Sequence, residues 1–411
     1  MKIMNFGSCN IDYVYSVDRF VKAGETISVK EMDIFPGGKG LNQSIALAKA
    51  GADVIHAGFI GNDAQILKDA LCGCGVDVSY LKEVDMKNGH AIIQVDANAE
   101  NCILVYGGTN HSITREYIDS MLSCLGDSDI LVLQNEINDI AYIIDKAYSL
   151  GISTVFNPAP FTDDLKEIDL AKVRYLIVNE TEALELSGKD NPTEFIPFMR
   201  ESYPALSTVM TLGRRGCVYI DKDKVIKQPS YKVKAVDTTA AGDTFIGYFI
   251  ANIAKGASEK DALKMAAAAS AIAVSRRGAA PSVPYIDEVK TLIPQMELND
   301  VGQGSKNDMQ KKEVFRYIDE HLADASVAGL AAHLGYSKNY VSVRVREVTG
   351  VVFSELLWRR RCEIAARYLR ETDMSVGEII SKIGYENESF FRRKFAEIYG
   401  KNPLRYRKEG E

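Results

Sequence analysis

From Ile3 to about residue 290 the chain alternates short apolar, β-branched runs with stretches of helical period, and this alternation constrains its fold more than any other feature. The runs are Ile3–Phe6, Val54–Ile60, Ile130–Leu133, Thr154–Phe156, Tyr175–Val178 and Thr208–Thr211, with helical spacing in Gly40–Ala50 and Asn138–Leu150 between them. Apolar strands separated by helices pair in parallel, and the helices cover both faces of the sheet. The expected body is therefore an α/β parallel-sheet sandwich. One insert breaks the rhythm: His90–Tyr106 reads as two strands around a turn near Asp96–Glu100, and Asp12–Ile34 is also extended. Together they predict a small β sheet standing off the main one as a lid.

Pro281–Pro284 close the last helical pattern of this body. The polar run Asn299–Asp308 marks a boundary, which gives a first domain over 1–292, a linker over 293–308 and a second domain over 309–411. The second domain is helical in period throughout. Net charge is -7 overall, but residues 301–411 hold 20 basic and 16 acidic residues, a net +4, against a net -11 for the first 300. An acidic body with a basic end implies two kinds of partner. The longest apolar stretch, Met265–Val274, is too short to span a bilayer, and the N-terminus lacks the apolar core of a signal peptide. Seven cysteines without a Cys-x-x-Cys pattern imply a reducing, cytoplasmic setting, with Cys72 and Cys74 expected as small core residues.

Two clusters carry chemistry. In Asp237-Thr238-Thr239-Ala240-Ala241-Gly242-Asp243-Thr244, small residues precede an apolar helical run. The free N–H groups and dipole of such a helix start make an anion site, as phosphoryl transfer requires. Asp243 stands there either as a base for an attacking hydroxyl or simply as a helix cap. In Pro36-Gly37-Gly38-Lys39-Gly40-Leu41-Asn42-Gln43, glycines surround a lysine ahead of a helix, without the spacing of a Walker A loop. Lys39 and Asn42 can donate to ligand hydroxyls, although such a run also occurs as a plain tight turn.

Residues 7–20, 23–29 and 36–54 resemble the first signature of the ribokinase-like carbohydrate kinases, and Val236–Phe249 resembles the second. The resemblance covers about residues 1–290. The Asp-Thr-Thr-Ala-Ala-Gly-Asp form, Gln134-Asn135-Glu136 and Gly278–Pro284 place it nearest the ribokinase group. The resemblance implies ATP-dependent phosphorylation of a sugar's primary hydroxyl, D-ribose to ribose 5-phosphate. Asp12, Gly38, Lys39, Asn42 and Glu136 would then grip the sugar, and Asp243 would be the base. Backbone amides of Ala240, Ala241, Gly242 and Asp243 would form the anion hole. Asn179 and Glu182 would stand near the phosphates and their Mg²⁺, with Thr211, Gly213 and Gly216 on the nucleotide side. Asp237, Thr239, Gly278 and Ser282 match the positions around a monovalent cation, normally K⁺. The resemblance also implies a homodimer joined through the lid.

Residues 311–408 hold two helix-turn-helix patterns. Val327–Leu334 and Lys338–Thr349 flank Gly335-Tyr336-Ser337, and Val376–Ile383 and Asn387–Tyr399 flank Gly384-Tyr385-Glu386. Phe353–Leu369 joins them. Ser389–Arg407, Thr349-Gly350, Phe353-Ser354-Glu355 and Arg359–Arg361 resemble the AraC family's DNA-binding domain. That resemblance implies sequence-specific binding of double-stranded DNA and transcription regulation, with two helices entering successive major grooves. By position Lys338, Asn339, Ser342, Arg344 and Arg346 face DNA from the first reading helix, and Asn387, Glu388, Arg392 and Arg393 from the second. The bland alternative is a helical dimerisation module with a solvated basic face. The first reading helix departs from the family in its valines, which lower helix propensity. A chain so built is a kinase that also regulates, or else a regulator whose kinase-like part serves mainly as a sugar sensor.

Overall fold

The computed structural model describes residues 1–96, 101–189, 192–299, 311–372, 374–385 and 388–408. The chain divides into two compact units, Met1–Asp300 and Val301–Glu411. Among the described residues the first unit has thirteen strands: β1 (Ile3–Phe6), β2 (Asn10–Ser16), β3 (Glu31–Gly37), β4 (Val54–Gly61), β5 (Leu81–Val84), β6 (His90–Val95), β7 (Asn101–Tyr106), β8 (Ile130–Gln134), β9 (Ser153–Asn157), β10 (Tyr175–Asn179), β11 (Ser207–Thr211), β12 (Cys217–Ile220) and β13 (Val225–Gln228).

Nine of them form the main sheet in the order β13-β12-β11-β10-β9-β8-β1-β4-β5. From β11 to β5 all neighbours are parallel, and β12 and β13 extend one edge antiparallel. The chain runs from β1 toward one edge and then returns beside β1 as β8 to build the other. The carboxyl ends of β1 and β8 therefore flank the topological switch point, where open α/β sheets bind ligands. The sequence pattern did not distinguish β5, β12 and β13, each only four residues long.

Side-chain parity explains the core. Ile3, Val132, Val155, Ile177 and Val209 face one layer with the helices Lys39–Lys49, Ala241–Ala254 and Glu259–Val274. Met4, Phe6, Leu131, Leu133, Phe156 and Leu176 face the other. Continuing the same period of two, Asn5, Gln134, Asn157, Asn179 and Thr211 fall on the first face. Except for Asn5, which lies one residue inside β1, each is the last residue of its strand. On β1, β8 and β9 polar residues thus replace apolar ones where the strands meet the helix Lys39–Lys49.

The helices Lys39–Lys49 and Ala241–Ala254 cross very closely. A Cβ on Gly247 would stand 2.4 Å from the Cβ of Ala46 and 2.8 Å from its carbonyl carbon. The start of the first helix is equally tight against β1: a Cβ on Gly40 would lie 2.3 Å from the amide nitrogen of Ser8. The lid is a separate four-stranded sheet in the order β3-β2-β6-β7. The expected extended segment 12–34 resolves into β2 and β3 with an irregular stretch between them. The turn expected near 96–100 lies, beyond Asp96, outside the described residues.

Two expectations change. Cys72 is exposed and is not a core residue, while Cys74 is half-exposed and only packs against the rim of the core; both sit at the end of a short surface helix, Gln65–Gly73, whose buried residues are Leu67 and Leu71. The stretch expected to begin the linker at 293 is held on the first unit instead. Lys232 N donates to Glu297 O at 2.8 Å, Asn299 N donates to Ser230 O at 2.8 Å, and Ile293 and Met296 pack against the core. Residues 300–310 lie outside the described residues.

The second unit is helical among its described residues, with helices Lys311–Glu320, Val327–Leu334, Lys338–Thr349, Phe353–Glu371, Val376–Lys382, Glu388–Tyr399 and Pro403–Lys408. Ser326, Ser337 and Ser375 cap three of them through their hydroxyls. The valines of the first reading helix have a structural reason: Val341 and Val345 are fully buried, while Val343 is exposed. Arg361 donates to Leu322 O and Ala323 O, both at 2.8 Å, and its guanidinium lies 4.9 Å from the Tyr385 ring centre. It ties the two helix-turn-helix halves together from within. Arg359 and Arg360 are engaged in ion pairs with Glu355, and with Asp319 and Glu363.

Gly247→Ala is expected to destabilise the first unit by about 1–3 kcal/mol through overpacking against Ala46, read as a lower urea midpoint. An unchanged midpoint would contradict so close a crossing.

Candidate active site

The helix crossing decides what Asp243 does. The cap position of its helix is Ala240, in a left-handed conformation with φ 55°, and no side chain caps the helix. Asp243 lies in the first turn and is buried, and its carboxylate reaches across to the neighbouring helix. Oδ2 accepts from Asn42 Nδ2 at 3.2 Å and Oδ1 from Gln43 Nε2 at 3.0 Å. Of the two readings open for this residue, the capping one is excluded. Thr244 N donates to Ala240 O at 2.8 Å and Ala241 N to Thr238 O at 3.3 Å. Among the described residues nothing accepts from the amides of Gly242 and Asp243, two of the orphan donors of a helix start. A carboxylate and two open amides therefore share one helix turn.

Around Asp243 stand the other predicted groups. Lys39 begins its helix, and its backbone N–H donates to Glu136 Oε2 at 3.0 Å, an atom that also accepts from Ser8 Oγ at 2.5 Å. Burial opposes the charged form of the Lys39 side chain, but Asp243, Glu136 and Glu182 outweigh it and hold its pKa above the ordinary lysine value. Asp12, on lid strand β2, packs beneath the glycine pair: a Cβ on Gly37 would stand 2.1 Å from its Oδ2. Burial, reinforced by the charge of Glu136, pushes the Asp12 carboxyl up to about 7. Gly38 takes φ 93°, with Asn10 N and Ser8 O closing the space a side chain would need.

Asn179 and Glu182 form a capping box on the helix Glu180–Ser187. Glu182 N donates to Asn179 Oδ1 at 2.9 Å, and Asn179 N donates to Glu182 Oε2 at 2.9 Å. Burial raises Glu182 to about 7, against the pull of the Asn179 amide and Lys39. Thr211 ends β11, and the turn after it closes with Leu212 N donating to Gly216 O at 2.8 Å, Gly213 and Gly216 both having positive φ.

Asp237 joins two loops: Oδ1 accepts from Thr239 N and Oδ2 from Gly278 N, each at 2.9 Å. Burial pushes its carboxyl up, but the donors from Thr239 and Gly278 prevail and its pKa lies below the ordinary carboxylate value. Ser282 is buried and donates to Ala279 O at 2.7 Å. Lys49, also buried, holds the same loop through Ala280 O at 3.2 Å and Val283 O at 2.9 Å.

Pattern reading assigned no role to Asn5, Ser8, Gln43, Gln134 or Asn157. All five are buried, and the latter two form the floor beneath Gln43. The signal was available in strand parity, since a polar residue on an otherwise apolar face marks a place where a polar partner must exist.

In the second unit Lys338, Asn339, Ser342 and Arg346 are exposed on the first reading helix, three of them spaced by one turn. Arg344 is half-buried on the side of Val341 and Val345, apart from that row. On the second helix Arg393 is exposed, whereas Arg392 is ion-paired with Glu388 at 2.5 Å. Asn387 lies outside the described residues.

The first unit is thus a doubly wound sheet with a lid and a buried carboxylate beside two open amides. A family profile described as pfkB family carbohydrate kinase matches residues 1–286, and one described as a helix-turn-helix domain matches 330–409. The chain belongs to the pfkB family of carbohydrate kinases. It is a ribokinase-type enzyme carrying an AraC-type helix-turn-helix domain. The ribokinase of Staphylococcus aureus (strain COL) is 36% identical over 304 residues, 70% of this chain and 98% of that protein. The deoxyribokinase of Salmonella typhi is 30% identical over 302 residues, 70% of this chain and 97% of that protein. Ribokinase from Thermotoga maritima superposes with a TM-score of 0.64 at 34% identity, covering 71% of this chain and 99% of its own. The Arabidopsis thaliana ribokinase complexed with ribose and ATP gives 0.63 at 29% identity, covering 71% and 98%.

The two raised carboxyls give a pH signature. Asp12 and Glu182 titrate near 7 in the folded chain and near 4 when unfolded. Between those values the folded state holds protons that the unfolded chain has released. Their stabilising contribution is therefore full below about pH 4 and is lost as the pH climbs through 7. Asp12→Asn removes the buried charge and is expected to raise the calorimetric melting temperature more at pH 8 than at pH 5. An equal shift at both would contradict the raised titration.

Proposed function

We propose that the first unit phosphorylates the primary hydroxyl of D-ribose from ATP, giving ribose 5-phosphate, and that the second binds double-stranded DNA to regulate transcription. The observation that carries the kinase reading is the Asp243 carboxylate lying within one helix turn of the unpaired amides of Gly242 and Asp243. In this reading Asp243 takes the hydroxyl proton as the oxygen bonds to the terminal phosphorus and the bridging P–O bond breaks. The amides of Ala240 to Asp243 hold the charge on the moving group. Asp12, Gly38, Lys39, Asn42 and Glu136 bind the sugar; the buried, unpartnered Oδ1 of Asn42 is suited to accept from a hydroxyl. Ribose is favoured because the ribokinases are similar over almost their whole length, and one carries ribose and ATP. The similarity to deoxyribokinases keeps deoxyribose in the test panel.

In this reading Asn179 and Glu182 would serve the phosphates and Mg²⁺ of the nucleotide, with Thr211, Gly213 and Gly216 on its far side. Asp237 bonds to both Thr239 and Gly278, which fits a K⁺ held between those loops with Ser282 nearby, where its charge would order the anion-hole loop. The lid would exclude water during transfer. Its edge strand β7 leaves Ile103, Leu104 and Val105 48%, 64% and 63% exposed, which favours a homodimer formed lid to lid. We place the protein in the cytoplasm. Its cysteines are free thiols, which suits a reducing compartment, and no helix among the described residues is long and apolar enough to cross a membrane.

Phosphorylation of ribose, deoxyribose, other pentoses, hexoses and nucleosides with K⁺ present tests the kinase reading. Asp243→Asn is expected to lower kcat for ribose by about 10²–10⁴-fold with ribose binding retained in calorimetry. Tight sugar binding without turnover of any sugar would instead favour a regulator with a sensing domain. For DNA, Lys338→Ala and Arg393→Ala are each expected to weaken binding to a mixed-sequence duplex. Each should also reduce the slope of log affinity against log salt by about 1. Unchanged slopes would favour the dimerisation module.

A further inference from the structure

We propose that Gln43, oriented by Gln134 and Asn5, is the positioning residue that aims Asp243 for proton transfer. The inference rests on the reading of Asp243 as the base. Gln43 Nε2 donates to Asp243 Oδ1 at 3.0 Å and to Asn157 Oδ1 at 3.3 Å, while its Oε1 accepts from Gln134 Nε2 at 2.8 Å. Gln134 Nε2 also donates to Asn5 Oδ1 at 2.8 Å. Asn5 Nδ2 in turn donates to Gly40 O at 2.7 Å and Ser44 Oγ at 2.8 Å. The Ser44 hydroxyl is then left to donate to His56 Nδ1, at 2.7 Å. Burial lowers His56 to about 4, so it is neutral and can accept.

Every amide in this chain has a single workable orientation. Turning Gln43 over would set its carbonyl oxygen against the Asp243 carboxylate and its NH₂ against the NH₂ of Gln134, two repulsive contacts in place of two bonds. Asn5, Gln43, Ser44, His56 and Gln134 are all at most 1% exposed, so no bulk water can take over a missing partner. The two polar atoms of Gln43 are already taken up by Asp243, Asn157 and Gln134, whereas Asn42 keeps an unpartnered Oδ1. The effect of Gln43 on the reaction must pass through Asp243.

Steady-state kinetics on the full chain, with ribose and ATP, test the proposal through Asp243→Asn, Gln43→Met, Gln43→Glu and Gln43→Met/Gln134→Met. Gln43→Met is expected to lower kcat roughly 10- to 100-fold, the scale of a small misplacement of a reacting group, with both KM values within about threefold. Gln43→Glu is expected to move the acid limb of the kcat profile to higher pH, because adjacent carboxylates disfavour each other's ionisation. The double variant is expected to be no slower than Gln43→Met, since residues acting as one unit are not additive. A merely structural role would lower the melting temperature and leave the acid limb in place. The proposal is overturned alone if Asp243→Asn abolishes turnover while Gln43→Met keeps the wild-type kcat and Gln43→Glu the wild-type acid limb. Wild-type turnover by Asp243→Asn would overturn it together with the base assignment.

Discussion

The contact of Ala46 with Gly247 is the constraint on which the site depends. It brings two helices close enough that a carboxylate one turn below the crossing meets two amides on the opposite helix. Asp243 lies four residues before Gly247, and Asn42 and Gln43 lie four and three before Ala46, so both sides of the contact are set by the same helical pitch. A side chain at 247 would open the gap and break both bonds at once. The tight seat of Gly40 on Ser8 does the same at the other end of the first helix, fixing Lys39 and its N–H against Glu136.

Under this crossing the sheet supplies a polar floor. Strand parity brings Asn5, Gln134 and Asn157 to one face, at or near the carboxyl ends of adjacent strands, directly below the helix that carries Gln43. The charges above are arranged by the same economy of space. Three acidic groups, Glu136, Glu182 and Asp243, act on Lys39, and Asp12 lies within the field of Glu136. Burial pushes Asp12 and Glu182 up to about 7, while Asp243, Glu136 and Glu182 hold the lysine above its ordinary value. Crowded, buried carboxylates of this kind cluster at functional sites.

The second unit solves a smaller problem in a similar way. Its middle helix is rich in arginine, yet Arg359, Arg360 and Arg361 are taken up by Glu355, by Asp319 and Glu363, and by the carbonyls of Leu322 and Ala323. The exposed row is instead Lys338, Ser342 and Arg346, one turn apart, with Asn339 beside it. The valines that looked unfavourable in that helix are in part core residues, which recover in burial what they lose in helix propensity.

The sequence by itself determined the architecture, because alternating apolar runs admit few packings and the two glycine-rich motifs lie far apart in the chain. The lid strands, the paired helix-turn-helix patterns and the positions of Asp243, Lys39, Asn42 and Glu136 were all legible. What only the tertiary structure decided were the partners. Whether Asp243 caps its own helix or reaches another depends on a crossing 200 residues distant in the chain, and hydrogen-bond direction in the Gln43–Gln134–Asn5 chain depends on three elements meeting at once. Exposure was equally undecidable from pattern: Cys72 and Cys74 looked like core, Arg344 like surface, and residues 293–299 like linker. A periodicity states which face a residue shares, and burial depends on what the rest of the chain lays against that face.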